Sequence, residues 1–126
     1  MASRLLHFLN DPDAARLDAL LAPDVSFHSP VADYDRRADV AHLFTRIAGI
    51  IETIEPVREL ATGRERTTFL SGTVRGRLVE GVLDELYDDA GRVREITLML
   101  RPLSALNAAV EAMVEALDVS PLPSRS

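Results

Sequence analysis

Few side chains in this 126-residue sequence are suited to acid–base or nucleophilic chemistry. His28 stands in the stretch FHSP, and imidazole exchanges protons near neutral pH. Glu85 stands in VLDELY, where alternation gives it the same face as Leu83 and Tyr87, so its carboxylate needs a buried partner such as Arg94. Either residue could act as a general base. Ser29 shares the inward face of Phe27 and offers a hydroxyl to a ligand or to its own turn. Asp33, Tyr34 and Asp35 form a polar loop. Paired carboxylates do acid–base work when burial separates their pKa values, but consecutive loop acids ordinarily stay solvated or cap a helix. Tyr34 fits a contact at the rim of a pocket. His28, His42 and the acidic loop have no ligand spacing that would hold a metal, so neither metal nor cofactor is expected.

What is missing narrows the chemistry further. There is no cysteine, which removes thiolate nucleophiles and disulfides and fits a reducing, cytoplasmic setting. All 14 basic residues are arginine, which removes Schiff-base chemistry and lysine-dependent phosphate loops. The net charge of -6 lacks the positive surface that nucleic acid requires. No run approaches the roughly 20 apolar residues of a membrane span.

The elements that must position these residues follow from hydrophobic period. Leu5, Leu6, Phe8 and Leu9 mark a first helix. Leu17, Leu20 and Leu21 mark a second, capped by Asp11 or Asp13 and ended near Ala22 by Pro23. Val25 and Phe27 alternate with Ser26 and His28 in a strand that stops at Pro30. Val40, Leu43, Phe44, Ile47, Ile50 and Ile51 predict a third helix capped by Asp35 or Asp39.

From Glu55 the period becomes two. Strands are predicted over Val57–Ala61, Arg66–Val74, Leu78–Tyr87 and Val93–Arg101, joined by short turns that make antiparallel neighbours. Gly72 and Gly81 are candidate bulges that would curve the sheet. The arginines beside the turns, among them Arg75, are expected to pair with Glu80, Asp88 and Glu95. A last helix runs from Leu103 to Leu117. Helices first and a sheet second predict an α+β domain, a cone-shaped curved antiparallel sheet wrapped around three N-terminal helices with a C-terminal helix. The domain is placed at residues 1–118 and a flexible tail at 119–126. Val82 and Leu86 make the outer face apolar as well, which predicts a homodimer through the outer sheet face.

The entry LLAPDVSFHSP, the helix from Asp39 to Ile51 and the hairpin VEGVLDELYDDAGRVREITLMLRPL resemble the nuclear transport factor 2-like superfamily, in its SnoaL-like branch. The resemblance covers roughly residues 5 to 117. Steroid delta-isomerases of this fold carry a general-base aspartate before the proline that ends the first strand, and Ser29 stands there. The position of their protonated aspartate falls on Leu83, and their first-helix tyrosine falls near Leu5. The resemblance therefore implies the fold and a pocket, without that reaction's three groups. The function expected is binding of a small hydrophobic molecule by Phe27, Ser29, Tyr34, Leu83, Tyr87, Ile96, Leu98 and Leu100. The alternative is an isomerase, cyclase or hydrolase of a polycyclic or lipid-like substrate, with His28 or Glu85 as base.

Overall fold

In the computed structural model, which describes residues Ser3 to Arg125, the chain enters its first helix through Ser3. The Ser3 hydroxyl accepts from Leu6 N at 3.1 Å and caps α1 (Arg4–Asn10), whose Leu5, Leu6, Phe8 and Leu9 are buried. Asp13 caps α2 (Ala14–Leu20) by accepting from Ala15 N and Arg16 N.

The helix stops at Leu20, and strand β1 (Leu21–His28) begins before Pro23, four residues earlier than the alternation at Val25 predicts. Proline is tolerated there because β1 shifts register against its neighbour between Leu21 and Ser26, so its missing N–H leaves no ladder bond unmade. The two-residue strand β2 (Asp33–Tyr34) follows, then α3 (Arg37–Ile50). Neither predicted cap serves α3. Its N-cap is Arg36, with no side-chain bond, while Asp39 is buried in the first turn and faces the C-terminal segment. Arg37 steadies this end by donating to Asp18 at 2.8 Å.

Strands β3 (Glu52–Thr62), β4 (Glu65–Val74), β5 (Arg77–Tyr87) and β6 (Val93–Arg101) complete one open, curved six-stranded sheet in the order β2-β1-β6-β5-β4-β3. The sheet is mixed, because β1 runs parallel to β6 while every other pair is antiparallel. A strand joined to its ladder partner by a hairpin must reverse direction, but β1 and β6 are separated in sequence by α3 and the other four strands. The β4–β5 turn, Arg75-Gly76, has φ of 50° and 80°, the left-handed pair that a two-residue hairpin requires.

Of the two glycines proposed as bulge sites, Gly72 lies opposite a bulge, since the shift from Glu52↔Thr73 to Glu55↔Ser71 sets Thr53 and Ile54 of β3 across from it, while Gly81 does not. The β4–β5 ladder is continuous through Gly72 and Gly81, and the register shifts occur in β3, around Thr53 (φ 55°) and Val57, and between Leu86 and Tyr87. Gly81 answers a different need, since a Cβ there would sit 2.6 Å from Met99 O.

Alternation assigns the faces. Leu70, Val74, Val79, Leu83, Ile96 and Leu98 point inward against Phe8, Leu17, Val40 and Phe44 of the helices. Phe69, Val82 and Met99 point outward on neighbouring strands. Helix α4 (Leu103–Val119) crosses back over the wide end of the cone. The segment after it, predicted to be a free tail, folds onto α3 instead: Leu122 is buried, Ser124 bonds Asp39, and Pro123–Arg125 form a short 3-10 turn. A single apolar residue in a Pro- and Ser-rich stretch suffices when a buried carboxylate waits opposite.

Candidate functional site

At the wide end of the cone lies a cavity of about 180 Å3. Leu98 and Leu100 of β6 form its floor, Leu43, Ile47, Ile50 and Ile51 one helical wall, and the underside of α4, from Leu106 to Leu117, the roof. Phe27, at the end of β1, and the loop from Ser29 to Tyr34 make its rim. Phe27 holds its place by packing on Phe44 at 4.7 Å between ring centroids and on Tyr34 at 6.2 Å. The lining contains no charged side chain, and its polar groups are those of Ser29 and Tyr34. Ser29 is occupied locally: its hydroxyl donates to Ala32 O at 2.8 Å and accepts from Ala32 N at 3.0 Å, closing the turn around Pro30.

Of the eight residues predicted to bind a ligand, Phe27, Ser29, Tyr34, Leu98 and Leu100 line this cavity, and Leu83, Tyr87 and Ile96 do not. Leu83 and Ile96 face inward as alternation requires, yet they lie in the filled core beneath the helices. Leu83 is opposite Leu98 and Glu85 opposite Ile96, so Glu85 and then Tyr87 lie progressively deeper along β5, away from the mouth. The α3 and α4 walls were not predicted as site residues. Their signal was present in the apolar stripe of each helix, which is broader than the sheet alone covers.

Neither predicted base reaches the cavity. His28 lies on the outer face, bridging Asp33 of β2 through Nδ1 at 3.0 Å and Glu95 of β6 through Nε2 at 3.3 Å. The bond to Asp33 is the main cause that raises its pKa above the usual 6.5, with Glu95 adding to it. Glu85 is wholly buried, and its partners are not Arg94: Ser3 Oγ donates to Oε1 at 2.5 Å and Tyr87 Oη to Oε2 at 2.7 Å. Burial raises the Glu85 pKa, opposed by those two hydrogen bonds and by the charges of Arg66 and Arg4. Tyr87 is pushed upward too, chiefly by burial and then by the Glu85 charge. The Arg4 guanidinium covers the Tyr87 ring at 5.2 Å from its centroid. This cluster ties the start of α1 to the sheet.

Among the described residues, no group of three His, Asp or Glu side chains is placed to hold a metal, and no helix is long and apolar enough to cross a membrane. His42 is bonded to the carbonyl of Ser120 at 2.7 Å. Arg75 pairs with Glu115 of α4 and Arg101 with Glu80, in place of the hairpin pairs predicted for Arg75 and Glu80.

A steroid delta-isomerase from Pseudomonas aeruginosa is 30% identical, with a TM-score of 0.82 over 91% of this chain and 85% of that one. An uncharacterised bacterial protein with a cystatin-like fold from Silicibacter pomeroyi DSS-3 superposes with a TM-score of 0.87 at 20% identity, covering 93% and 84% of the two chains. A protein of ketosteroid isomerase-like fold from Catenulispora acidiphila, solved in complex with trimethylamine, matches at 0.65 and 14% identity over 86% and 93%. No curated protein sequence matches the chain. The model of the SnoaL-like domain matches residues 2–100. On that span, and on the curved sheet and cone built from it, the chain belongs to the SnoaL-like domain family.

Proposed function

We propose that this protein binds a small, largely apolar molecule in the cavity under α4. The observation that carries the reading is the wall itself, aliphatic and aromatic on every side with no charged group in it. A buried apolar surface favours ligands by the hydrophobic effect, and Tyr34 at the rim can orient one polar substituent. The likeness to a neighbour solved with trimethylamine fits a cavity of this fold that admits a small molecule.

The test is a titration with 1-naphthol, an apolar bicycle with one hydroxyl, followed by thermal denaturation. A ligand selective for the native state stabilises it by about 2.7 kcal/mol at 100 times its Kd. Ala109→Leu, which fills the cavity from the roof, should abolish that shift while leaving the unliganded protein folded. Equal binding by the filled variant would refute the site.

The isomerase relative favours a second reading, catalysis on a polycyclic or lipid-like substrate with Glu85 or His28 as base. Against it stand Leu5, Ser29 and Leu83 at the three positions where the resemblance calls for an acid or a phenol. Turnover of a β,γ-unsaturated ketosteroid that Glu85→Gln removes would restore this reading.

We also propose that two copies pair through the outer sheet face, in a cytoplasmic setting consistent with the absence of cysteine. The support is an apolar strip across four strands, Met99, Val82, Phe69 and Val57, in which Met99 is 61% and Val57 69% exposed and the Arg58 guanidinium lies over the Phe69 ring at 4.1 Å.

A further inference from the structure

The roof of the cavity is unevenly held. In the first half of α4 Ala105 and Ala108 are buried, while beyond Val110 no residue of the helix is, and Met113 and Leu117 are half-buried where they pack on the core and line the cavity. Two sets of polar contacts add to that packing. On one flank Arg75, at the tip of the β4–β5 turn, reaches Glu115 at 2.9 Å and Glu111 at 4.0 Å, all exposed and so weakly binding. At the end of the helix the chain continues as a strap onto α3. Ser120 O accepts from His42, Leu122 is 6% exposed, and Ser124 donates to the buried Asp39 carboxylate through N at 3.0 Å and Oγ at 2.7 Å. Asp39 and His42 lie on the same helix as Leu43 and Ile47, which form the opposite wall of the cavity. The strap therefore ties roof to wall, and its bonds to a buried carboxylate are the stronger set.

Resting on the binding reading above, we infer that this strap is the size-selecting element of the site: Ser124–Asp39 and Leu122 latch α4 down and restrict the cavity to one- and two-ring ligands. The volume argues the limit. A dry cavity of about 150 Å3 holds benzene, so a cavity of about 180 Å3 accepts a ring or a compact bicycle and is too small for four fused rings. A steroid enters only when α4 lifts, and its apparent affinity is reduced by the fraction of molecules in which the latch is open.

The experiment compares the full chain with Leu122→Ala and Ser124→Ala, neither of which touches the cavity. It measures dissociation constants for 1-naphthol and for androstenedione, and amide hydrogen exchange along α4. The wild type should favour 1-naphthol. Each variant should bring the ratio of the two constants down by about tenfold, because a more populated open state helps only the larger ligand. Exchange should rise in residues 112–119 and remain unchanged in β4 and β5. An unchanged ratio, or exchange that rises uniformly, overturns the inference. If 1-naphthol fails to bind the wild type while exchange in α4 still responds to the strap, the cavity reading fails, and size selection with it. If binding holds but the ratio does not move, only the inference about the strap is lost.

Discussion

The Ser3 hydroxyl donates to Glu85 Oε1 at 2.5 Å across 82 residues of sequence while accepting from Leu6 N, so one side chain both caps a helix and supplies a hydrogen bond to a buried acid. Tyr87 completes the arrangement from the other carboxylate oxygen. Glu85→Ala leaves the buried Ser3 hydroxyl and the half-buried Tyr87 hydroxyl without their acceptor, and the loss should be about 2 to 4 kcal/mol in chemical denaturation. Ser3→Ala should cost about 1 kcal/mol for the cap alone and more if the bond to Glu85 matters as the geometry indicates. A cost for Glu85→Ala no larger than that of a surface substitution would sink this account.

The same carboxylate sets a pH dependence. Burial raises its folded pKa above the ordinary 4.5, so the folded state holds the proton more tightly than the unfolded chain. Its favourable contribution is complete below the unfolded value and declines as pH rises through the folded one. Glu85→Gln removes the titration. The variant's stability relative to wild type should therefore improve between acidic and neutral pH, as thermal melts at several pH values will show. A constant difference would mean that Glu85 titrates alike in both states.

His28 makes a separate prediction. Its pKa is raised by Asp33 first and Glu95 second, so the clasp across β2, β1 and β6 is strongest below the ordinary imidazole value of 6.5 and loosens as pH rises through the folded value. An NMR titration of the His28 ring should report a pKa above that ordinary value, and Asp33→Asn should lower it more than Glu95→Gln does. The reverse order would show that Glu95, not Asp33, is the main partner.

On the outer face, Met99→Arg places a charge at the β6 end of the apolar strip while leaving the cavity wall intact. If two copies meet there, light scattering should show dimer in the wild type, and the dimer dissociation constant should rise by about tenfold or more. Affinity for 1-naphthol should remain unchanged. A wild type that is monomeric at all concentrations would remove the dimer.

Inside the cone, Leu98→Ala removes a floor residue that is 3% exposed. It should destabilise the protein by about 2 to 5 kcal/mol, at the lower end if the existing cavity lets neighbours relax into the gap. The enlarged cavity should also bind 1-naphthol less tightly, through lost contact. Unchanged stability would argue that Leu98 is poorly packed.

Legibility in sequence followed the range of the interaction. Strand β6 is read to the residue because Gly91 and Pro102 bracket a clean alternation, and Phe27, Ser29, Tyr34, Leu98 and Leu100 reach the cavity by the same period-two logic. The β1–β6 ladder is not readable, since a parallel pair leaves no turn between its strands. Pro23 hides the start of β1 because proline ordinarily ends helices and avoids ladders, and only the register shift makes room for it. Glu85 was placed on the correct face but given the wrong partner, because Arg94 is near in sequence whereas Ser3 arrives from the opposite end of the chain. The strap was read as free because Leu122 alone carries no period, and its receptor, Asp39, looks like an ordinary helix cap until the helix is seen to begin at Arg37.

The parallel pairing of β1 with β6 also orders events in time. Phe27 meets its ladder neighbour Ile96 only after β6 exists, and until then β1 has no ladder partner but the two residues of β2. During synthesis the three N-terminal helices and β1 leave the ribosome with Phe8, Phe27 and Phe44 lacking the sheet that covers them. Closure of the cone is a late, long-range step, slow relative to the local hairpins and dependent on the last strand to arrive. A ribosome stalled before residue 93 should therefore display a nascent chain that chaperones bind, and one carrying all 126 residues on an added linker long enough to clear the exit tunnel should not.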